Sequence, residues 1–185
     1  MSLSDADRPF HRRRLMRLLT PLALGASLAL AGCFRPLYGP SVNGQNVAGQ
    51  LAAVEVAVTQ QVSRERLAHY LEQELRFALT GGDRPPASAY RLEVTPQISI
   101  VTSSINQTTG QAVAAIVRLT ANYRLVTSDG SKTLTSGVAT ASAGYDRWPQ
   151  RFANLRAERD AEQRAVKTVA EQIQTRLASW FASQR

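Results

Sequence analysis

With 185 residues, 44% of them hydrophobic and 19% charged, the chain is long enough for one domain with an ordinary apolar core. Its formal net charge is +8, but much of the excess sits near the N-terminus, where Arg12, Arg13, Arg14 and Arg17 cluster. One cysteine and two histidines exclude an internal disulfide framework and leave no Cys/His cluster with metal-ligand spacing.

Behind the arginines, Leu18–Leu30 carries no charge and is mostly Leu and Ala. A basic stretch ahead of a short apolar run is the pattern of a secretory signal. A membrane-crossing helix needs about 17–25 apolar residues, whereas this run has thirteen, with Pro21 and Gly25 inside it. It ends in Leu30-Ala31-Gly32-Cys33, which resembles the bacterial lipobox, where small residues precede a cysteine that is acylated before the signal is removed. The alternative for Cys33 is a buried thiol packing as a small hydrophobe, but the sole cysteine of the chain stands where the cut would fall. Residues 1–32 are therefore expected to be a lipoprotein signal peptide, with Cys33 the lipid-attachment site and its covalent lipid the only attached group. Met1 and Met16 both suit as starting residues, and Arg12–Arg17 reads as the basic part of an ordinary export signal or, loosely, of a twin-arginine signal. The processed protein, Cys33–Arg185, would have 153 residues, 17 basic and 12 acidic side chains, a net charge of +5 and no free thiol.

Residues 33–50 read as the lipidated cysteine and a tether. Two Pro, three Gly and two Asn among residues 34–50 disfavour a regular element, and seventeen extended residues span roughly 55–60 Å. The folded domain is expected over 51–185. Val54, Val56 and Val58 alternate with Glu55 and Ala57, predicting a strand over Leu51–Val58. Ser63 is placed to cap a helix running to about Leu79, where Gly81-Gly82 stops it. Leu67, Leu71, Leu75 and Leu79 recur every four residues along it, widened by Tyr70 and Ala78.

Three further strands follow. Tyr90, Leu92 and Val94 alternate with Arg91, Glu93 and Thr95, and Pro96 before Ile98 and Ile100 points to an edge or a bulge. In Val113–Thr127, Val113, Ala115, Val117, Leu119, Ala121, Tyr123 and Leu125 make one face, and Arg118, Thr120, Asn122 and Arg124 the other. Ser128-Asp129-Gly130-Ser131 is a hairpin turn. The strand over about Thr133–Tyr145 is rich in Thr, Ser, Ala and Gly, and such thin side chains imply limited burial or the close approach of a partner. A long helix starts between Gln150 and Leu155 and runs to about Phe181. Its apolar stripe is Ala161, Ala165, Val169, Ile173, Leu177 and Phe181, with Val166 and Trp180 at the margins. Arg156, Arg159, Glu162, Arg164, Lys167, Glu171 and Arg176 are assigned to the wet side, several as opposite charges at i,i+3 or i,i+4.

The order β-α-β-β-β-α predicts an α+β domain, a two-layer sandwich with two helices on one face of a four-stranded, mostly antiparallel mixed sheet. The first strand reaches the sheet through a helix and is expected to lie parallel to its neighbour. The opposite sheet face is mixed in polarity with no helix left to cover it, so it requires solvent or a partner.

Chemistry-bearing patterns are few. The processed chain keeps only His69, on the first helix, where a lone histidine is usually a surface residue. There is no G-x-S-x-G elbow and no phosphate-cradling glycine loop. The carboxylates are scattered along helix exteriors without an acid/base pair, so no catalytic residue, metal site or cofactor is expected. A charge of +5 spread over two helices and a sheet is no concentrated stripe for nucleic acid.

The segment Cys33-Phe34-Arg35-Pro36-Leu37-Tyr38-Gly39, the strand-helix start around Val54–Leu79, Tyr90-Arg91-Leu92-Glu93-Val94 and Arg156-Ala157-Glu158-Arg159-Asp160-Ala161-Glu162-Gln163 together carry a resemblance. The processed chain resembles the lipopolysaccharide-assembly lipoprotein family LptE in its alphaproteobacterial form. The resemblance implies an outer-membrane lipoprotein on the periplasmic side that plugs and helps assemble the LptD barrel, and that contacts lipopolysaccharide on its way to the cell surface. Phe34 after the cysteine agrees, because the familiar inner-membrane retention signal is Asp there. The barrel-contact candidates are Arg118, Thr120, Asn122 and Arg124 on the uncovered face. In the family, basic residues near the loop between the second and third strands and near the start of the last helix are linked to lipopolysaccharide. Arg159, before Asp-x-Glu-Gln, occupies such a position with Arg156 one turn away, near a helix start where the macrodipole also favours anions. The loop Ser103–Gly110 has no cation, which puts phosphate binding by that loop in doubt. Other functions open to this layout are an auxiliary lipoprotein of another envelope transport system and a cell-envelope hydrolase.

Overall fold

A computed structural model describes residues 46–59, 65–82 and 87–184. Cys33, the signal and most of the tether lie outside these residues, as do Ser63 and Arg64. The elements are α1 (Val47–Ala52), β1 (Val54–Val58), α2 (Glu65–Thr80), β2 (Tyr90–Ile105), β3 (Ala112–Thr127), β4 (Thr133–Asp146) and α3 (Arg151–Ser183). They form the expected α+β sandwich, with the sheet order β1-β2-β3-β4. β1 lies parallel to β2, Val54 opposite Tyr90 and Val58 opposite Val94. The β2–β3 and β3–β4 pairs are antiparallel.

One element departs from the sequence reading. The segment read as tether ends in α1, and β1 begins at Val54 rather than Leu51. Asn46 caps α1 by accepting the Ala48 N–H at 3.0 Å. Val47 and Leu51, four residues apart, are buried against α2 and α3. Six residues are too few for periodicity to announce a helix; here a cap and two tertiary contacts make one.

Period-2 alternation turns Leu92 and Val94 of β2 and Ala115, Val117, Leu119, Ala121 and Leu125 of β3 into the core, where all are buried. Leu67, Leu71, Leu75 and Leu79 of α2 meet them, as do Ala161, Ala165, Val169, Ile173, Leu177 and Phe181 of α3. The helices lie side by side on one sheet face, α2 against β1 and α3 against β3 and β4. Val113, expected on the apolar face of β3, is 39% exposed because it lies near the strand start, beyond the helix layer. Gly81 and Gly82 end α2 with φ of 70° and 95°, a left-handed stop that residues with a Cβ disfavour.

Glu162 is a correction to the assigned wet side of α3. It is 2% exposed, and Arg66 of α2 donates to its Oε2 at 3.1 Å. Its position on the helix points toward α2, so the helix pair, not the sheet, buries it. Pro96 also has a clear reason. Val94 turns its carbonyl to the Thr59 N–H (2.8 Å) just past the end of β1. Pro96, two residues on, faces the same side where no strand follows, so no ladder donor is lost.

The thin strand β4 lies beneath α3, and the close approach expected there is made by the chain's own elements. Ala139 and Ala143 are buried in the core, and the Tyr123 ring lies across Gly137, its cross-strand neighbour. Side chains of α3 also bond the backbone of this edge strand. Arg164 donates to the Gly144 carbonyl (2.9 Å), Gln172 both donates to (3.0 Å) and accepts from (3.3 Å) Thr140, and Arg176 donates to the Val138 carbonyl. An edge occupied in this way cannot pair with another strand at those positions. In the turn between β3 and β4, Asp129 accepts from the Thr127 hydroxyl (2.5 Å), the Ser131 N–H (3.1 Å) and the Ser131 hydroxyl (2.9 Å). These bonds, that of Thr127 foremost, lower its pKa from 3.8 to about 2.

Candidate functional site

Strand alternation places Arg118, Thr120, Asn122 and Arg124 on the sheet face opposite the helices, as expected. Their cross-strand neighbours complete that face. Arg118 sits between Ser99 and Ser142, Thr120 between Gln97 and Thr140, Asn122 between Thr95 and Val138, and Arg124 between Glu93 and Ser136. Glu55 of β1 and Arg91 of β2 belong to the same face. Arg124 Nε donates to Glu93 Oε2 at 2.5 Å, and Arg91 Nε stands 3.8 Å from Glu55 Oε2. The charges thus alternate across the first three strands, and the ion pairs are exposed enough to contribute only about 0–1 kcal/mol each.

Around these side chains the twisted sheet forms an open concavity of about 760 Å³, lined among others by Glu55, Arg91, Glu93, Asn122, Arg124 and Val138. Val138, 47% exposed, adds an apolar side chain among these polar and charged ones. Such a surface offers hydrogen-bond donors, acceptors and both charge signs to a polar partner. Sequence reasoning found the β3 row but did not carry the same alternation into Glu55, Arg91 and Glu93, where it was equally present.

The two lipopolysaccharide-contact candidates lie elsewhere, at the start of α3. Both Arg156 and Arg159 are exposed and, among the described residues, neither makes an ion pair or a side-chain hydrogen bond. α3 begins at Arg151, so they stand in its second and third turns. The macrodipole fades within the first turn, and any attraction for anions comes from their own charges. Phe152 (83% exposed) and Leu155 (42%) lie on the same side of the helix, and Trp148 (60%) precedes it in the chain. Phe152 and Leu155 fall outside the apolar stripe of the helix, a signal the sequence carried and the reading did not use.

Among the described residues no group of His, Cys, Asp and Glu is placed to hold a metal ion. His69 is exposed and shares a hydrogen bond with Gln73 at 2.9 Å. No described helix is long and apolar enough to cross a membrane.

The comparisons with known proteins agree with this architecture. A family model described as "LptE: Lipopolysaccharide-assembly" matches residues 51–177. The fold is similar to that of a candidate lipoprotein from Caulobacter crescentus CB15, with a TM-score of 0.59 and 23% identity over 75% of this chain and 97% of that one. It is also similar to a minor lipoprotein from Acinetobacter baumannii, with a TM-score of 0.51 and 18% identity over 68% of this chain and 90% of that one. Comparison with curated protein sequences gives no match.

Proposed function

Because the chain belongs to the LptE lipopolysaccharide-assembly family, we propose that it is an outer-membrane lipoprotein, anchored through Cys33 on the periplasmic side, that plugs and helps assemble the LptD barrel. Members of this family serve lipopolysaccharide assembly and are not enzymes. The observation that carries the proposal is the uncovered sheet face. An exposed surface of alternating charge, with Arg118, Thr120, Asn122 and Arg124 along its central strand, matches the polar interior of an outer-membrane barrel. The occupied β4 edge supports the same reading, since a plug must enter a barrel without adding its own strand to the wall. In this proposal lipopolysaccharide contacts Arg156 and Arg159.

Co-purification of the tagged protein from solubilised envelopes tests the partner. The LptD barrel is expected with the unchanged chain and reduced with Arg118→Glu/Asn122→Asp; equal recovery with both would remove this face from the contact. Arg156→Glu/Arg159→Glu should keep the barrel and lose lipopolysaccharide binding. The wild-type interaction should weaken with salt, since the Debye length is about 8 Å at physiological ionic strength. Equal lipopolysaccharide binding at low salt would take both arginines out of the site.

A further inference from the structure

The two edges of the sheet are finished differently. On β4, side chains of α3 occupy the backbone at Val138, Thr140 and Gly144. On the other side, β1 covers β2 no further than Val94, and β2 continues to Ile105. Hydrogen bonds at the start of β2 fix which of its groups are left open. Ala89 accepts from Ser128, just past β3 (3.2 Å), and Val94 accepts from Thr59, just past β1 (2.8 Å). Backbone groups alternate sides along a strand, so odd-numbered residues of β2 bond β3 and even-numbered ones point away from it. The register with β3 is regular as far as Thr102. Ile98, Ile100 and Thr102 therefore direct their N–H and C=O groups outward, and among the described residues no strand pairs with them.

The sequence does not defend this edge. Exposed edge strands commonly carry charges, lysine above all, that discourage a further strand. From Val94 to Val117 there is no charged residue, in a chain that is 19% charged. Pro96, which has no N–H to offer, bounds the open stretch at one end, and the register shifts between Thr102 and Ile105 bound it at the other. Ile98 to Thr102 spans about 14 Å, with a donor and an acceptor presented at every second residue. An extended polypeptide is the ligand whose own backbone matches that repeat.

We propose that this edge takes up, by β-strand addition, an uncharged extended segment of the barrel partner that lies inside the lumen. This rests on the barrel contact proposed above and names the part of the partner that the domain holds. The open stretch borders the proposed barrel face: Gln97 stands opposite Thr120 and Ser99 opposite Arg118, so a partner on that face is already alongside the edge. The absence of charge matches an uncharged strand. A strand of the wall itself is excluded, because in a closed barrel each is already paired on both sides. A second copy of this chain fits poorly. Antiparallel pairing with Ile100 opposite its counterpart would bring Ile105 of one copy level with Thr95 of the other, beside which Thr59 already stands. Moving the axis toward the hairpin tip runs the pairing into the register shifts.

The test follows amide hydrogen exchange along β2, residue by residue, in the full chain alone and co-purified with the LptD barrel. The amides of Ile98, Ile100 and Thr102 should exchange freely in the chain alone and about tenfold or more slowly in the complex. Those of Gln97, Ser99 and Val101, bonded to β3, should be protected in both. Ile100→Pro removes the central outward donor without breaking a bond to β3, so it should keep the circular dichroism spectrum of the folded protein. It should lower recovery of the barrel by about tenfold. Unslowed exchange at the three outward amides with the barrel bound overturns the edge site and leaves the face contact standing. Failure of the barrel to co-purify with the unchanged chain overturns both. Undiminished recovery with Ile100→Pro also overturns the edge site. So does protection of the three amides already in the chain alone: if dilution relieves it the occupant is a second copy, and otherwise it is the chain's own residues.

Discussion

Gly137→Ala should destabilise the protein only while Tyr123 is present. A Cβ built on Gly137 would lie 2.6 Å from the Tyr123 hydroxyl oxygen and 2.8 Å from Cζ, well inside contact distance. The tyrosine is 7% exposed and belongs to the core, so the ring must move against packed neighbours. Overpacking of this kind costs about 1–3 kcal/mol. Replacing a strand glycine by alanine returns about 0.5–1 kcal/mol of backbone entropy. The net loss is therefore about 0–2.5 kcal/mol, or up to roughly 10 °C in Tm for a protein of this size. In a Tyr123→Ala background the clash is gone and the same Gly137→Ala change should stabilise by about 0.5–1 kcal/mol. The cycle thus predicts a coupling of about 1–3 kcal/mol, readable from urea unfolding of the four proteins. Strict additivity would refute the reasoning, because the effect of Gly137→Ala would then owe nothing to the ring.

Val117→Asp should unfold the domain, since Val117 is fully buried and the carboxylate would have no partner. Asn122→Asp, on the exposed face, should keep the circular dichroism spectrum of the folded protein, and the reverse result would invert the sheet. With a folded pKa of about 2 against 3.8 unfolded, Asp129 favours the folded state above pH 3.8, a contribution lost as pH falls from there through 2. NMR titration should place the Asp129 midpoint near 2 and return it toward 3.8 in Thr127→Val, with the acid unfolding limb correspondingly less steep. Cys33→Ser should leave the domain folded but release it from membranes and abolish palmitate labelling, because each buried lipid CH₂ contributes about 0.8 kcal/mol to anchoring.

The sequence alone determined which faces of the long elements turn inward. In β3 every residue has one of two faces, so seven alternating apolar positions state the buried side without further information. The leucines of α2 and the stripe of α3 do the same at helical spacing, and Gly81-Gly82 and Asp129-Gly130 carry their turns in their own backbone preferences. The outward row of Arg118, Thr120, Asn122 and Arg124 was legible for the same reason, as the complement of a buried face.

Only the tertiary structure decided matters that depend on which elements become neighbours. Glu162 resembles its solvated neighbours Arg159 and Arg164 in sequence, and its burial follows from α2 lying beside α3 with Arg66 in reach. The alanines of β4 read as a weak strand until α3 is placed over them, when their smallness becomes the condition for close packing. Pro96 is compatible with a strand only because β1 ends before reaching it. Periodicity reports how a segment is divided between inside and outside; the identity of the neighbour that makes the inside depends on contacts distant in sequence, which no local pattern contains.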